Sequence, residues 1–597
     1  MPTEDRRRRH PRLNVLAAAS TAAALLIAGC SPAEEDDPQP APPEPEETPA
    51  EPAIITDDDG FRTSTTLPEP VAERIVALPG EDGEETAKLQ VVSLDSDGDF
   101  ARLVYAWLAP ETGSELSPQQ VSPFFSRSQA APWMRLIDRG ASEVIAPLRA
   151  DGRFANDGAV SAGAAMAAAP DPEPMSEEHD FSKARINCVC SSLPRSAPRD
   201  GVALVYIDFP APESDEIDLF FAEWAEPLRG VPVTAGTPFE LPEDDGLTQL
   251  TPRSHEMSGQ YGTGAVSYDR QPLSARSESL SGVSTTIAGE SQEVSLPADV
   301  LFEFGESELS ADAEQVIEDA AEKLNAEAAG QTVVIEGHTD NIDSHEVNQR
   351  LSEDRAEAVA EAITPLLDDG ISVETEGHSY DRPLAPNQDA EGNDLPENRE
   401  LNRRVSFRYT ATEDSGHGID LGAEELQDLD EAEQTQAEPG ALASYVLPAP
   451  EEDETEHELR FDVLGAERDG MTVTMRFALG LAGTGYEANA FRGSRAAEDP
   501  QLLGKNAYSG GTEPGLGNLG LVDVAAGRQY FPVSAPSHCV CSEVLATGRD
   551  LPDEGTPAFA EFELPPDLDG PLILRIPDSA QIELPQELVA ELTAGTD

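Results

Sequence analysis

The sequence predicts a multidomain protein: a central α/β sandwich with one mixed sheet and helices, flanked by two repeated β-sandwich-like domains. Three observations lead there. Residues 294–410 read strand, helix, strand, helix, strand and a last strand, with apolar runs such as TVVIEG alternating with acidic amphipathic runs such as AEQVIEDAAEKL. The stretches on either side share landmarks in the same order. A length of 597 residues with 39% hydrophobic content is enough for about three or four separate cores.

At the N-terminus, Arg6–Arg9 and Arg12 form a basic region, and an apolar run from Leu13 to Ile27 follows. The run ends in Ile27-Ala28-Gly29-Cys30, which resembles a bacterial lipobox. That resemblance implies residues 1–30 as a lipoprotein signal peptide, with cleavage before Cys30 and a lipid anchor on its thiol; two acyl chains hold a protein stably where one does not. Residues 31–52, rich in Pro and Glu, read as an extended spacer, because proline favours polyproline geometry and like charges repel.

The first β-rich domain is placed at 53–245. KLQVVSLDSDGDFARLVYAWL is expected to form a hairpin around Asp97-Gly98, and VALVYIDFP and IDLFFAEWA to be further strands. An Ala/Pro/Glu-rich insertion at about 151–184 reads as disordered. Residues 456–597 repeat these landmarks. HELRFDVLGAERDGMTVTMRFAL sets two strands around a second Asp-Gly, and the spacing from Asp138 to Pro147 equals that from Asp523 to Pro532. Cys188-Val189-Cys190 and Cys539-Val540-Cys541 follow, and each copy then ends in a strand closing on proline. Strand spacing points to an immunoglobulin-like sandwich. The Ser/Gly-rich stretch 246–293 and the acidic stretch 411–455 read as linkers.

In an oxidising compartment each Cys-x-Cys pair is a candidate for a local disulfide, although bridging residues two apart on a strand requires a bend. A shared four-cysteine zinc site is a minor alternative.

The formal charge of −76 and pI near 4.1 argue against nucleic acid as a natural partner, because phosphate binding needs a basic face. No G-x-S-x-G or S-x-x-K stands in a strand–turn–helix context, so the chain reads as non-enzymatic. No cofactor is implied.

In the central segment, GHTDNIDSHEVNQRLSEDRAEAV and NRELNRRVSF resemble the OmpA-like peptidoglycan-binding domain, whose signature is a TD turn, an N-x-x-L-S-x-x-R-A helix and an N-R-R-V strand. The resemblance covers about a fifth of the chain, in three motifs in the right order. It implies non-covalent binding of the free end of a peptidoglycan stem peptide, with Asp340 pairing with the diaminopimelate ammonium and Arg355 with its carboxylate. It also places Thr339, Asn348 and Arg404 near the ligand. Asp343 and Asn398 stand where the family has glycine, at turn positions that Asp and Asn tolerate. Asp343 is expected to cap the following helix, with Glu346 completing a capping box.

Elementary chemistry agrees with this pairing. A zwitterionic head needs one anion and one cation close together, and arginine offers a planar fork for a carboxylate. His338, His345 and His378 near Asp340 raise the question of a metal; the resemblance accounts for His338 and Asp340 without one, and no metal is expected. The expected protein is therefore lipid-anchored and extracytoplasmic, and ties membrane to cell wall through peptidoglycan, with a possible protein partner on the β domains. The alternative is an adhesive or assembly protein, or a regulator of envelope hydrolases, in which the central domain only docks.

Overall fold

The computed structural model describes residues 54–64, 67–77, 86–111, 134–150, 203–221, 225–236, 266–410, 431–447, 458–482, 516–542 and 555–593, with brief interruptions within them and the isolated pairs 173–174 and 248–249. The expected signal peptide, spacer and insertion, and Cys30, Cys188 and Cys190, lie outside the described residues, apart from 173–174 within the insertion. Among the described residues no helix is long and apolar enough to cross a membrane.

The N-terminal β unit is built from two sheets sharing one core. Strands β1 (Ala72–Ala77), β2 (Thr86–Ser96) and β3 (Phe100–Leu108) lie side by side, and β6 (Ala203–Pro210) extends them. The second sheet holds β4 (Arg135–Asp138), β5 (Glu143–Ile145), β7 (Glu216–Phe220), β8 (Leu228–Pro232) and β9 (Arg270–Pro272), in the order β8-β7-β4-β5-β9. Leu89, Leu103 and Ile207 of one sheet meet Leu136, Ile145 and Leu219 of the other. The β2–β3 hairpin turns at Asp97-Gly98, where Gly98 has a φ of 99°, a conformation nearly free for glycine alone.

The central unit adds β10 (Ser274–Ser279), β11 (Ser284–Ala288) and β12 (Ser291–Pro297). Then come α1 (Ala298–Leu301), α2 (Ala313–Glu327), β13 (Thr332–Gly337), α3 (His345–Ile363), β14 (Ser372–Gly377), α4 (Pro396–Asn402) and β15 (Arg404–Thr410). The sheet is mixed: β13 and β14 run parallel, and β15 is antiparallel to both β13 and β12. Val294, Leu296, Val333, Ile335, Val405 and Phe407 project from one face onto Val316, Ile317, Ala356 and Val359 of the helices.

Strands β16 (Ala443–Val446), β17 (Glu458–Asp469), β18 (Thr472–Ala482), β19 (Gly520–Asp523), β20 (Arg528–Tyr530), β21 (Thr556–Glu563), β22 (Leu572–Ile576) and β23 (Ala580–Glu583) build the C-terminal unit, closed by helix α5 (Gln586–Thr593). One sheet runs β16-β17-β18-β21. The other runs β23-β22-β19-β20-β10 and continues through β11 into the central unit as a single 12-stranded sheet.

This overturns the expectation of two plain linkers. Within 246–293, β9 closes the second sheet of the N-terminal unit, while β10 and β11 bridge the central and C-terminal sheets. Within 411–455, Glu433–Thr435 and β16 extend the C-terminal unit. The composition SARSESLSGVSTTIAGESQ reads as coil because its residues are small and polar. Neighbouring strands on both sides supply its backbone partners, and Ser277, Val283 and Thr285 are buried. The run SLPADVLFEF, whose apolar residues read as a single strand, is a strand that ends at Pro297 followed by a short helix.

The two outer units also touch. Ile137, Val144 and Phe220 pack on Val533, Val540 and Phe559, with the rings of Phe220 and Phe559 edge to face at 6.4 Å. Glu561, wholly buried, receives Arg139 at 2.7 Å and Arg229 at 3.0 Å, and Arg476 grips Glu226 through two nitrogens at 2.6 and 2.9 Å. Cys539 and Cys541, with Cα atoms 5.2 Å apart and sulfurs at bonding distance, point into the C-terminal core, while Val540 between them faces the N-terminal unit.

Candidate functional site

Two glycines bring the site together. Gly337 and Gly377 end adjacent parallel strands in register, and α3 lies directly against both. A Cβ on Gly337 would stand 2.0 Å from the Ser352 carbonyl oxygen, and one on Gly377 2.5 Å from Cγ of Glu353. Only hydrogen at these positions lets the helix approach, and that approach sets where α3, which carries Arg355, lies against the ends of β13 and β14.

Helix α3 begins one residue later than expected. Ser344, in extended conformation, is its N-cap and accepts from the Val347 amide at 3.4 Å. Asp343 is therefore not the cap, and with valine three residues after the true cap there is no capping box.

Asp340 is 5% exposed. Its Oδ1 accepts the Ile342 amide at 3.0 Å, and its Oδ2 accepts Nη1 of Arg403 at 3.1 Å. Arg355 is 2% exposed, lies over the Phe302 ring at 5.0 Å, and donates Nε to the Glu306 carbonyl at 2.9 Å. No carboxylate among the described residues forms a salt bridge with its guanidinium. Burial pushes the Arg355 pKa down from its ordinary value, and the charges of Asp299 and Asp340 only partly offset that.

Thr339 and Asn348 shape the loop. Thr339 donates its hydroxyl to the Asp340 carbonyl at 3.0 Å, and the Asn348 amide donates to the carbonyls of Asp340 and Asp343, each at 3.2 Å. Arg404 lies elsewhere. It shares the opposite face of β15 with Ser406 and Arg408, donates to the Arg382 carbonyl at 3.2 Å, and burial pulls its pKa down to about 10. Its neighbour Arg403 is the arginine that pairs with Asp340 and, at 2.6 Å, with Asp299. The sequence places Arg403 and Arg404 together at the start of the last strand, among the polar residues that cluster where a binding site should be. Period-two alternation separates the two: Val405 and Phe407 face the helices, so Arg403 shares their side and Arg404 does not.

On that opposite face, Glu336 collects Arg408 at 2.6 Å, Arg382 at 3.3 Å and His378 at 3.4 Å. Glu293, Glu336 and His338, and again Glu336, Glu376 and His378, lie close enough to share an ion. The arginines already occupy Glu336. Burial, then Arg404, His378 and Arg382, push the His338 pKa down to about 2, so the surroundings oppose added positive charge.

The family model described as "OmpA family" matches residues 301–395. Omp38, an outer membrane protein of Acinetobacter baumannii, is 34% identical over 122 residues, covering 20% of this chain and 32% of that protein. Escherichia coli YiaD, a probable lipoprotein, is 31% identical over 126 residues, covering 21% of this chain and 54% of YiaD. The chain thus spans about a third to a half of the length of these relatives. Among solved structures, the cell wall anchor of the type VI secretion system from Pseudomonas aeruginosa is similar at 27% identity, covering 22% of this chain and 88% of that one, with a TM-score of 0.19. Residues 301–395, with the mixed sheet and helices that hold Asp340 and Arg355, are a domain of the OmpA family.

Proposed function

We propose that the chain is a non-enzymatic cell-envelope protein that binds peptidoglycan non-covalently through residues 294–410, at a stem-peptide end of the diaminopimelate type. One observation carries the reading: Arg355 is buried, and among the described residues its only hydrogen bond runs from Nε to the Glu306 carbonyl, with no carboxylate in salt-bridge contact. A buried cation without a carboxylate is costly, and a ligand carboxylate meeting its free fork relieves that cost. Asp340 takes the ligand's ammonium; Thr339 and Asn348 hold the loop that presents it. The names of the relatives, an outer membrane protein and a probable lipoprotein, fit an envelope location.

In this reading Cys30 carries a lipid anchor, so the protein ties a membrane to the wall. The outer β units are copies of one fold, supported by matching orders β1-β2-β3-β6 and β16-β17-β18-β21, and β8-β7-β4-β5-β9 and β23-β22-β19-β20-β10. Asp138 and Asp523 cap equivalent turns by accepting backbone amides. They serve as a rigid mount for the binding module, and any protein partner docks on them. Each Cys-x-Cys pair is a structural disulfide.

Sedimentation with purified sacculi tests the binding. The wild-type chain pellets, while Asp340→Asn and Arg355→Met stay in solution with far-UV circular dichroism that shows both still folded. Co-sedimentation of both variants at the wild-type level refutes the assignment.

A further inference from the structure

We infer that Arg403 is a built-in counter-ion that occupies Asp340 when the site is free and yields it to the ligand's ammonium while staying docked on Asp299. The inference rests on the peptidoglycan reading and concerns how that same site is regulated.

The contacts of Arg403 are unequal. It grips Asp299 with two nitrogens, Nη2 to Oδ2 at 2.6 Å and Nε to Oδ1 at 3.3 Å, but reaches Asp340 with Nη1 alone, at 3.1 Å to Oδ2. Its guanidinium also sits 5.8 Å from the exposed ring of Phe304. Oδ1 of Asp340 is already taken by the Ile342 amide, so Oδ2 is the oxygen that an incoming ammonium contests. Losing one single-pronged contact leaves Arg403 held by a two-pronged pair and an aromatic face. In the free protein the same contact supplies a cation to a carboxylate that is 5% exposed and would otherwise be buried unpaired. Binding is thus an exchange of one cation for another on Asp340. The affinity is a difference between two ion pairs, which keeps attachment to the wall reversible, and Asp299 sets the balance by drawing Arg403 away.

Titration calorimetry of the full chain with a soluble stem peptide ending in diaminopimelate tests this. Arg403→Gln removes the competitor and tightens binding about fivefold, the scale of one partly exposed ion pair. Asp299→Asn leaves Arg403 free to sit on Asp340 and weakens binding by a similar factor. In the Arg403→Gln background, Asp299→Asn has little further effect. Weaker binding by Arg403→Gln, with Asp340→Asn also weak, overturns the counter-ion role and makes Arg403 a ligand contact. An Asp299→Asn loss that persists in the Arg403→Gln background overturns it too, because Asp299 then acts on the ligand itself. A wild type that binds no stem peptide, with Asp340→Asn indistinguishable from it, overturns the peptidoglycan reading and this inference together.

Discussion

Replacing Gly337 with alanine adds one methyl group where the fold has no room for it. The new Cβ would lie 2.0 Å from the Ser352 carbonyl oxygen, 2.8 Å from its carbonyl carbon and 3.1 Å from its Cα. These are backbone atoms of α3, so no side chain can rotate away. Restoring an ordinary contact of about 3.4 Å requires the helix to retreat by roughly 1.4 Å, or the strand end to move as far. Overpacking of this kind costs about 1–3 kcal/mol, here toward the upper end because two rigid elements are opposed. The damage is also functional. Ser352 lies one turn before Arg355, and Gly337 lies three residues before Asp340, so the retreat separates the two charges that must meet one zwitterion. A shift of about 1 Å in such a pair typically costs a large share of its binding energy. We expect Gly337→Ala to lower the urea midpoint of the central unit and to lose most sacculus binding. Gly377→Ala should act in the same direction, because its Cβ would meet not only Cγ of Glu353 at 2.5 Å but also the Glu353 backbone nitrogen at 2.6 Å. A Gly337→Ala chain with wild-type stability and binding would refute the account of how α3 reaches the sheet.

Other outcomes follow from the buried charges. His338 has a folded pKa of about 2, well below its ordinary 6.5, so the unfolded chain takes up a proton that the folded chain does not. Stability attributable to this residue is intact above pH 6.5 and falls as pH drops below it, by up to about 1.4 kcal/mol per pH unit. Urea titrations from pH 7 to 4 should therefore show a shallower pH dependence in His338→Asn than in wild type. Glu561→Ala takes the shared carboxylate from Arg139, which keeps Asp218 at 2.6 Å, and from Arg229; with both arginines about a third exposed the loss costs about 1–3 kcal/mol. Faster amide exchange in β7 and β21, with the central helices unaffected, is the expected signature. Cutting Phe220 to alanine empties the contact with Phe559 and should cost about 3 kcal/mol at the same interface, read by limited proteolysis between the units.

Much of the central domain was legible in the sequence. Apolar alternation located β13 and β15, the N-x-x-L-S-x-x-R-A run located α3, and the same motifs singled out Asp340 and Arg355 as candidates. These are local features, because side-chain period and motif spacing are properties of a short run of chain. The Asp-Gly hairpins at Asp97 and Asp469 were legible for the same reason, since an aspartate–glycine pair dictates its own turn. Tertiary structure alone decided the rest. It decided that Arg403 and not Arg404 pairs with Asp340, because which of two adjacent arginines meets that carboxylate depends on which sheet face the helices cover. It also made strands of 274–288: a run of serines and threonines carries little β signal of its own, and becomes sheet because β12 on one side and β20 on the other offer their unpaired backbone groups. Composition records what a segment can satisfy by itself, and only the assembled sheet shows what its neighbours satisfy for it.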